Sequence, residues 1–269
     1  MVRINLAKEM ETLLGPLYGR ALDARARRPV LGDVMADQTV RSIDYPFEQL
    51  KITPTLAPSI AARAKHFDDW AGEFIAASPD ATVLHLAAGL DARVWRVDPP
   101  ASVTWFDIDH PEVIDLRRAL LPTRDNYHLV GADLTAPDWL DAVPVHGPAL
   151  VLAEGLTMYL EPQAGHDLFR RLVDHCGHGT LAFDAFNSMG NRMQQRHGGL
   201  RRTGATLRWG IDDPHELERV DPRLRLTDSL SALYAPGANR IALRFRIMAV
   251  LVSPFPPLRN IGRYLRYAF

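Results

Sequence analysis

Short apolar runs alternate with amphipathic segments through the middle of the chain. Five of these runs have the length and composition of buried β-strands, at residues 82–87, 102–108, 127–130, 149–153 and 180–185. Segments with helical spacing of apolar residues lie between several of them, as at 113–121 and 163–175. Because strands buried on both faces are continuous apolar runs, this alternation predicts a mostly parallel sheet with helices on both sides.

The first eighty residues have a helical pattern instead. Residues 59–77 follow Pro58 and carry apolar side chains at helical spacing: Ile60, Ala64, Phe67, Trp70, Ala71 and Phe74. An earlier apolar face is predicted from Leu6, Met10, Leu13 and Leu14, continued after Pro16 by Leu17, Ala21 and Leu22. We therefore predict one domain over residues 1–269, in which a helical cap and substrate lid (1–80) covers an α/β core (81–269).

The segments that follow the fifth predicted strand are less regular. Residues 205–211 and 241–252 are predicted as further edge strands of the sheet. The intervening stretch at 188–204 is polar and rich in glycine, which favours a mobile loop.

Composition narrows the function classes. The net charge is −1 with 23% charged residues, so there is no basic excess to recruit nucleic acid or a membrane surface. The longest apolar run, 247–252, is much shorter than the roughly 20 residues of a spanning helix. A single cysteine, Cys176, excludes an internal disulfide. Together with the absence of a leader pattern, it predicts a cytoplasmic protein. We expect this protein to be a monomer or a homodimer.

Acidic residues recur where the predicted strands end. The turn 85–91 follows the first strand and ends on Asp91; Asp109, Asp133 and Glu154 follow the next three. In an open parallel sheet, ligands bind outside these carboxyl ends, at the point where the strand order reverses. Each aspartate taken alone is also compatible with a helix N-cap.

The chemistry of this predicted crevice favours a cationic nucleoside. The turn after the first strand has one glycine, Gly89, and it is neither a dinucleotide nor a Walker phosphate motif. Asp109 lies 22 residues after Ala87, at the spacing of an acidic residue that accepts hydrogen bonds from ribose hydroxyls. Acidic residues at four strand ends disfavour a pyrophosphate and suit S-adenosylmethionine, which carries a sulfonium and an amino group.

Several segments together resemble a known family. They are 83–93, 105–114, 132–134 and 153–160, and, nearer the ends, 20–22, 209–214 and 263–269. The chain resembles the leucine carboxyl methyltransferase family, and within it a bacterial branch similar to tetracenomycin-type polyketide O-methyltransferases. The resemblance implies a class I methyltransferase fold with a seven-stranded, mostly parallel sheet, S-adenosylmethionine as cofactor, S-adenosylhomocysteine as product, and no metal.

The resemblance also implies roles for individual residues. Asp109 would hold the ribose hydroxyls, Asp133 and Leu134 would flank the adenine, Glu154 would lie near the methionine portion, and Arg63 would pair with the cofactor carboxylate. The whole implied cofactor-binding set is Arg63, Ala87, Ala88, Gly89, Ile108, Asp109, Asp133, Leu134, Glu154 and Gly155. The family pattern has glycine where this chain has Ala87, which places a methyl group at the closest approach to the cofactor.

The acceptor decides which further residues the reaction needs. A sulfonium methyl group is already activated, so the protein mainly aligns donor and acceptor. A carboxylate acceptor is ionised at neutral pH, whereas a phenol or alcohol benefits from a general base. His66, three residues after Arg63, and Tyr159 are the catalytic candidates. Candidate substrate-wall residues are Tyr18, Met158, Tyr159, Phe186, Asn187 and Trp209.

Three functions are consistent with these features. The first is an S-adenosylmethionine-dependent O-methyltransferase that acts on a small molecule, a carboxylate of a polyketide-like natural product. The second is a hydroxyl or phenol O-methyltransferase of secondary metabolism. The third, which Ala87 keeps open, is a protein of this fold that binds the cofactor without transferring methyl.

Overall fold

A twisted sheet of seven strands forms the centre of the protein in the computed structural model, which describes residues 2–3, 12–196, 204–235 and 243–269. The strands are β1 (Thr82–Leu86), β2 (Thr104–Asp109), β3 (Tyr127–Gly131), β4 (Ala149–Ala153), β5 (Gly179–Phe186), β6 (Arg225–Ser231) and β7 (Gly262–Ala268). The expected seven-stranded, mostly parallel sheet is confirmed.

The strand order is β3-β2-β1-β4-β5-β7-β6, and β7 alone runs antiparallel to its neighbours. Leu86 pairs with Ile108, and Asp109 pairs with Gly131, so the carboxyl ends of β1 to β3 lie close together. The chain moves outward from β1 to β3 and then returns to β4 on the other side of β1. The topological switch point therefore lies between β1 and β4.

Helices cover the sheet and form the cap. They are α1 (Leu14–Ala24), α2 (Val34–Ser42), α3 (Ala57–Ala77), α4 (Arg93–Val97), α5 (Pro111–Leu120), α6 (Pro162–Cys176), α7 (Ser188–Gln195), α8 (Glu216–Val220), α9 (Leu243–Val252) and α10 (Pro256–Arg259). A proline lies in the first turn of α3, α5 and α6, where its missing N–H has no helical partner to lose. A short parallel pairing joins Val2–Arg3 to Ile43–Asp44.

Two apolar layers cover the two faces of the sheet, because neighbouring residues of each buried strand point to opposite sides. Val83 of β1 packs with the α3 side chains Phe67 and Trp70. Leu84, the next residue, packs in the layer that includes Phe169 of α6. A third apolar cluster joins α1 and α2 of the cap, and Leu90 from the turn after β1 belongs to it.

The five predicted strands and the helices between them are confirmed in position, but β3 is a partly exposed edge strand and not the buried strand predicted at 127–130, and both predicted edge strands are wrong. Residues 205–211 have no regular structure, and 243–252 form helix α9. The true last strands are β6 and β7. Side chains along β6 alternate between exposed and half-buried, as expected for an edge strand with one face in contact with solvent. The strand was missed because it contains polar residues and is therefore not a continuous apolar run.

The stretch predicted as a mobile loop begins with helix α7, which Asn187 caps by accepting a hydrogen bond from the Gly190 N–H. Residues 197–203 of that stretch, including His197, lie outside the described residues, as do Leu6 and Met10 of the first predicted helix. The described part of that helix, α1, begins at Leu14 and passes through Pro16 in its first turn.

Two helical glycines provide a matched test of the packing. A methyl group on Gly165 of α6 would lie 2.1 Å from the Trp209 ring, whereas one on Gly72 of α3 would meet nothing within 4 Å. We expect Gly165→Ala to lower the free energy of unfolding by about 1–3 kcal/mol through overpacking. Gly72→Ala should raise it by about 0.5–1 kcal/mol, because alanine is the better helix former. Denaturant titration of both variants measures this; equal effects would contradict the described α6–Trp209 packing.

Candidate active site

A cavity of about 810 Å³ opens at the carboxyl ends of β1, β2 and β4, at the switch point of the sheet. Its floor is formed by the turn after β1 and by residues 154–156 after β4, and α1 and α3 of the cap supply one wall. Residues 204–208 also line it. The cavity has the size of a small-molecule site, at the position where open α/β sheets bind ligands.

The turn after β1 brings backbone to the cavity in an unusual conformation. Ala87 and Gly89 have φ angles of 50° and 52°, in the left-handed region. The Gly89 N–H donates to Oδ2 of Asp109 at 2.7 Å, and the His110 N–H donates to Oδ1 at 2.7 Å. These two bonds fix the carboxylate at the end of β2. Burial nevertheless raises the pKa of Asp109 above its ordinary value.

One guanidinium joins two buried carboxylates at the opposite side of the cavity. Arg63 of α3 donates from Nε to Glu154 at 2.7 Å and from NH1 to Asp184 at 2.9 Å. Glu154 follows β4 and Asp184 lies in β5, so this cluster joins the cap to two strands of the sheet. Asp184 also accepts the Gly155 N–H at 2.5 Å.

The pKa values of the two carboxyl groups of this cluster are shifted in opposite directions. Burial acts to raise the pKa of both. For Glu154 the opposing charges of Arg63 and Arg93 prevail and hold its pKa below the ordinary value. For Asp184 burial prevails over Arg63 and, aided by the charge of Glu154, raises the pKa. The NH2 group of Arg63 has no partner among the described residues, so this edge is open to a ligand.

A second row of arginines lies behind the turn. Arg93, whose side chain is fully buried, donates to Glu154, to Asp68 of α3 at 2.8 Å, and contacts His85 Nε2 at 2.9 Å. Arg96 contacts Asp91 at 2.6 Å and also pairs with Asp68. These arginines neutralise the acidic residues behind the cavity, because buried carboxylates without partners would be strongly destabilising.

His85 lies in β1, and both of its ring nitrogens have partners. Nδ1 contacts Asp107 at 2.9 Å, and Nε2 contacts Arg93 at 2.9 Å. Arg117 donates to the other oxygen of Asp107, and its charge overcomes burial to lower the pKa of this carboxyl. Asp107 and Arg93 thus hold the His85 ring from both sides.

The structure brings most of the predicted site residues together. Ten of them line the cavity: Arg63, Ala87, Ala88, Gly89, Asp109, Glu154, Gly155, Met158, Tyr159 and Phe186. Burial raises the pKa of Tyr159, and its hydroxyl has no hydrogen-bond partner among the described residues. A side chain at Gly155 would come within 3.8 Å of the Arg63 guanidinium, so this glycine keeps the arginine accessible.

Three of the predicted cofactor residues lie outside the cavity lining. Ile108 is fully buried in the apolar layer beneath the sheet. Leu134 packs in the same layer, while Asp133 is exposed and accepts the Thr135 N–H at 2.9 Å.

The remaining candidates are structural in this arrangement. His66 lies between the rings of Trp70 and Tyr264, at centroid distances of 4.2 and 5.1 Å, and burial lowers its pKa. His66 therefore does not line the cavity, whereas Arg63 does. Three predicted wall residues also have other partners: Tyr18 stacks with Phe47, Asn187 caps α7, and Trp209 Nε1 donates to Glu216.

The sequence analysis did not name Arg20, His85 and Arg208, which line the cavity, or Asp184, which pairs with Arg63 at its edge. Asp184 gave a usable signal, because it is a lone acidic residue within an otherwise apolar strand. His85 gave a similar signal, as a polar residue within the apolar run of β1. Among the described residues there is no group of three potential metal ligands and no helix long and apolar enough to cross a membrane.

The left-handed Ala87 yields a test of the turn. A non-glycine residue in this region costs about 1–2 kcal/mol, so we expect Ala87→Gly to raise the free energy of unfolding by roughly 0.5–1 kcal/mol. Ala88→Gly is the matched control, because Ala88 has no positive φ and glycine there should lower stability by a similar amount. Chemical unfolding measures both; a destabilising Ala87→Gly would contradict the described turn.

Comparisons with known proteins agree with this site. The leucine carboxyl methyltransferase family model matches residues 14–173. The Streptomyces glaucescens protein named tetracenomycin polyketide synthesis O-methyltransferase TcmP is 44% identical, over 99% of this chain and 98% of its own. A Gibberella zeae protein named S-adenosyl-L-methionine-dependent methyltransferase dpfgK is 33% identical, over 86% of this chain and 85% of its own.

A solved structure supports the fold. The crystal structure of a duf574 family protein from Streptomyces avermitilis matches with a TM-score of 0.59, covering 97% of this chain and 95% of that one at 12% identity. At that identity the likeness concerns the fold alone. The sheet order with its antiparallel β7, the family match and the full-length relative confirm the expected class I methyltransferase architecture. The chain belongs to the leucine carboxyl methyltransferase family.

Proposed function

We propose that the protein is an S-adenosylmethionine-dependent O-methyltransferase that acts on a carboxylate of a polyketide-like small molecule. The observation that supports this most directly is that Asp109 and Arg63 line the same cavity at the switch point. A carboxylate there suits ribose hydroxyls, and a guanidinium with a free edge suits an amino-acid carboxylate. The names of the two full-length relatives point to the same donor and to a polyketide acceptor.

The residues of the cavity fit the cofactor. The fixed oxygens of Asp109 retain lone pairs for the two ribose hydroxyls. The open NH2 edge of Arg63 would take the methionine carboxylate, and the acidic pair Glu154 and Asp184 beside it suits the positive amino and sulfonium groups. We assign the adenine to the side of the cavity nearest Asp133 and Leu134, as the family pattern implies, and the cap (1–80) to covering the acceptor.

The chemistry needs alignment more than it needs a base. When bound, the cofactor supplies a methyl group on a positively charged sulfur. This methyl group would be transferred to a carboxylate oxygen, and the sulfur would keep the electron pair of the C–S bond, so the products would be a methyl ester and a neutral thioether. No proton is transferred. Holding the reactants in line supplies about 7–11 kcal/mol in ideal cases.

The histidines of the cavity favour a carboxylate over a phenol. His85 has both nitrogens engaged by Asp107 and Arg93, so it has no free site for an acceptor proton. His110 follows Asp109, on the side that we assign to the ribose. The free hydroxyl of Tyr159 lies on the acceptor side and can orient an acceptor oxygen.

Transfer of an isotope-labelled methyl group to a panel of aromatic carboxylic acids and phenols tests the proposal. We expect label in a product that loses it on mild alkaline hydrolysis, as a methyl ester does. Label that survives alkali would show an ether and favour the hydroxyl or phenol alternative. Cofactor binding without transfer to any acceptor would favour the non-transferring alternative.

Asp109 gives a prediction that does not depend on the acceptor. Asp109→Asn should weaken S-adenosylhomocysteine binding about tenfold or more at pH 7, because the hydrogen bonds from ribose to a carboxylate are lost. Binding requires the carboxylate form, and burial raises the pKa of Asp109. The wild type should therefore lose affinity as pH falls through that raised value.

Calorimetric titration across a pH series measures the affinity of both proteins. The Asp109→Asn variant should lack the acid-side loss of affinity. Asp115→Asn is the control, because Asp115 is exposed and pairs only with Arg118 on the surface of α5. Unchanged affinity in Asp109→Asn would contradict the assignment of the ribose.

A further inference from the structure

Of the residues that the structure describes, three arginines line the cavity, and two of them are held by buried acidic residues. Arg20 of α1 is 3% exposed and lies 3.3 Å from Asp33 and 3.7 Å from Asp91. Arg63 is bound by Glu154 and Asp184, and the proposed function assigns its open edge to the cofactor. The third, Arg208, has a different environment.

The backbone at Arg208 is fixed against the cavity wall. The segment 204–208, which we term the roof, lines the cavity. The Arg208 N–H donates to the Met158 carbonyl at 2.8 Å, and Met158 is itself a buried wall residue. On the other side, the Gln195 amide of α7 donates to the Ala205 carbonyl at 3.1 Å and accepts the Leu207 N–H at 2.7 Å. The roof is therefore tied to both the wall and α7.

Among the described residues, the side chain of Arg208 has one charged partner, in a surface ion pair. Its guanidinium contacts Glu161, and the two side chains are 49% and 61% exposed. A pair this exposed contributes about 0–1 kcal/mol, so a ligand anion can displace Glu161 at little cost. Arg20 and Arg63 could be freed only by leaving buried carboxylates without a partner, which costs about 3–5 kcal/mol.

The surroundings of Arg208 match an apolar acid. Leu207 and Met158 line the cavity beside it, and Ile52 and Ile60 from the cap line the wall as well. Tyr159 follows Met158 in the chain and also lines the cavity. Its hydroxyl has no hydrogen-bond partner among the described residues. An apolar body with one carboxylate group would thus meet apolar walls and, of the arginines described as lining the cavity, only Arg208 outside a buried ion pair.

We propose that Arg208 is the specificity-determining residue that recognises the carboxylate of the methyl acceptor. One carboxylate oxygen accepts from its guanidinium, and the other remains free to attack the methyl carbon. The inference rests on the proposed function, because it presupposes a carboxylate acceptor in this cavity. It explains how an enzyme with an acidic cofactor site binds an anionic acceptor.

Equilibrium binding to the full chain saturated with S-adenosylhomocysteine tests the inference. The probes are anthraquinone-2-carboxylate and its neutral counterpart anthraquinone-2-carboxamide. We expect the wild type to bind the carboxylate at least tenfold more tightly than the amide. Arg208→Gln should abolish this preference while affinity for the amide stays within about twofold, and Arg208→Lys should retain part of it.

Glu161→Gln is the matched control, because it breaks the same surface ion pair but leaves Arg208 in place. We expect this variant to keep or increase the carboxylate preference, with a melting temperature close to that of Arg208→Gln. No carboxylate preference in the wild type, or one that persists in Arg208→Gln, would overturn the inference. So would an equal loss of S-adenosylhomocysteine affinity in Arg208→Gln, which would indicate a cofactor contact.

These outcomes are separate from failure of the proposed function. If S-adenosylhomocysteine does not bind at all, the proposed function fails and the preference cannot arise. If it binds and labelled methyl esters form, but Arg208→Gln keeps the carboxylate preference, only the role of Arg208 is wrong.

Discussion

The ionic cluster of Arg63, Glu154 and Asp184 is the interaction on which the rest of the site depends. It connects the long cap helix α3 to the carboxyl ends of β4 and β5, with N–O distances of 2.7 and 2.9 Å. Both carboxylates are buried, so removing the arginine would leave Asp184 without its charged partner and Glu154 with Arg93 alone, at a cost of several kcal/mol. The position of the cap over the sheet, and hence the cavity wall, follows from this pairing.

Arg93 connects this ionic cluster to β1, the other strand at the switch point. Its fully buried guanidinium contacts Glu154 after β4, His85 within β1 and Asp68 of α3. Arg93 and Arg96 thus neutralise these acidic residues on the side away from the cavity, while the side that faces the cavity remains acidic. Such an arrangement favours a ligand with positive groups and disfavours a pyrophosphate, which would add negative charge beside Glu154. A cavity for a sulfonium nucleoside is the physical consequence.

The sequence permitted the fold and one half of the site to be predicted. Buried strands are continuous apolar runs, and an acidic residue directly after such a run is visible without knowing the partners; Asp109 and Glu154 were found in this way. The resemblance supplied Arg63. The edge strand β6 was missed because its exposed face is polar, and α9 was taken for a strand because its apolar residues are nearly continuous.

The other half of the site depends on distances between segments far apart in the chain. Arg63 and Asp184 are 121 positions apart, and no local pattern pairs them. Similarly, His66 and Arg63 differ by three positions on one helix, yet the packing of Trp70 and Tyr264 encloses His66 while Arg63 reaches the cavity. Which of several arginines remains available to a ligand is decided by burial, which only the folded chain determines.

The central claim is that this buried network selects a cationic nucleoside over a dinucleotide. Calorimetric titration of the protein with S-adenosylmethionine, and separately with NAD, tests it most directly. The account predicts one S-adenosylmethionine site per chain and no detectable binding of NAD at the same concentrations. Binding of NAD, or heat-silent titration with S-adenosylmethionine whose absence of binding is confirmed by equilibrium dialysis, would contradict it.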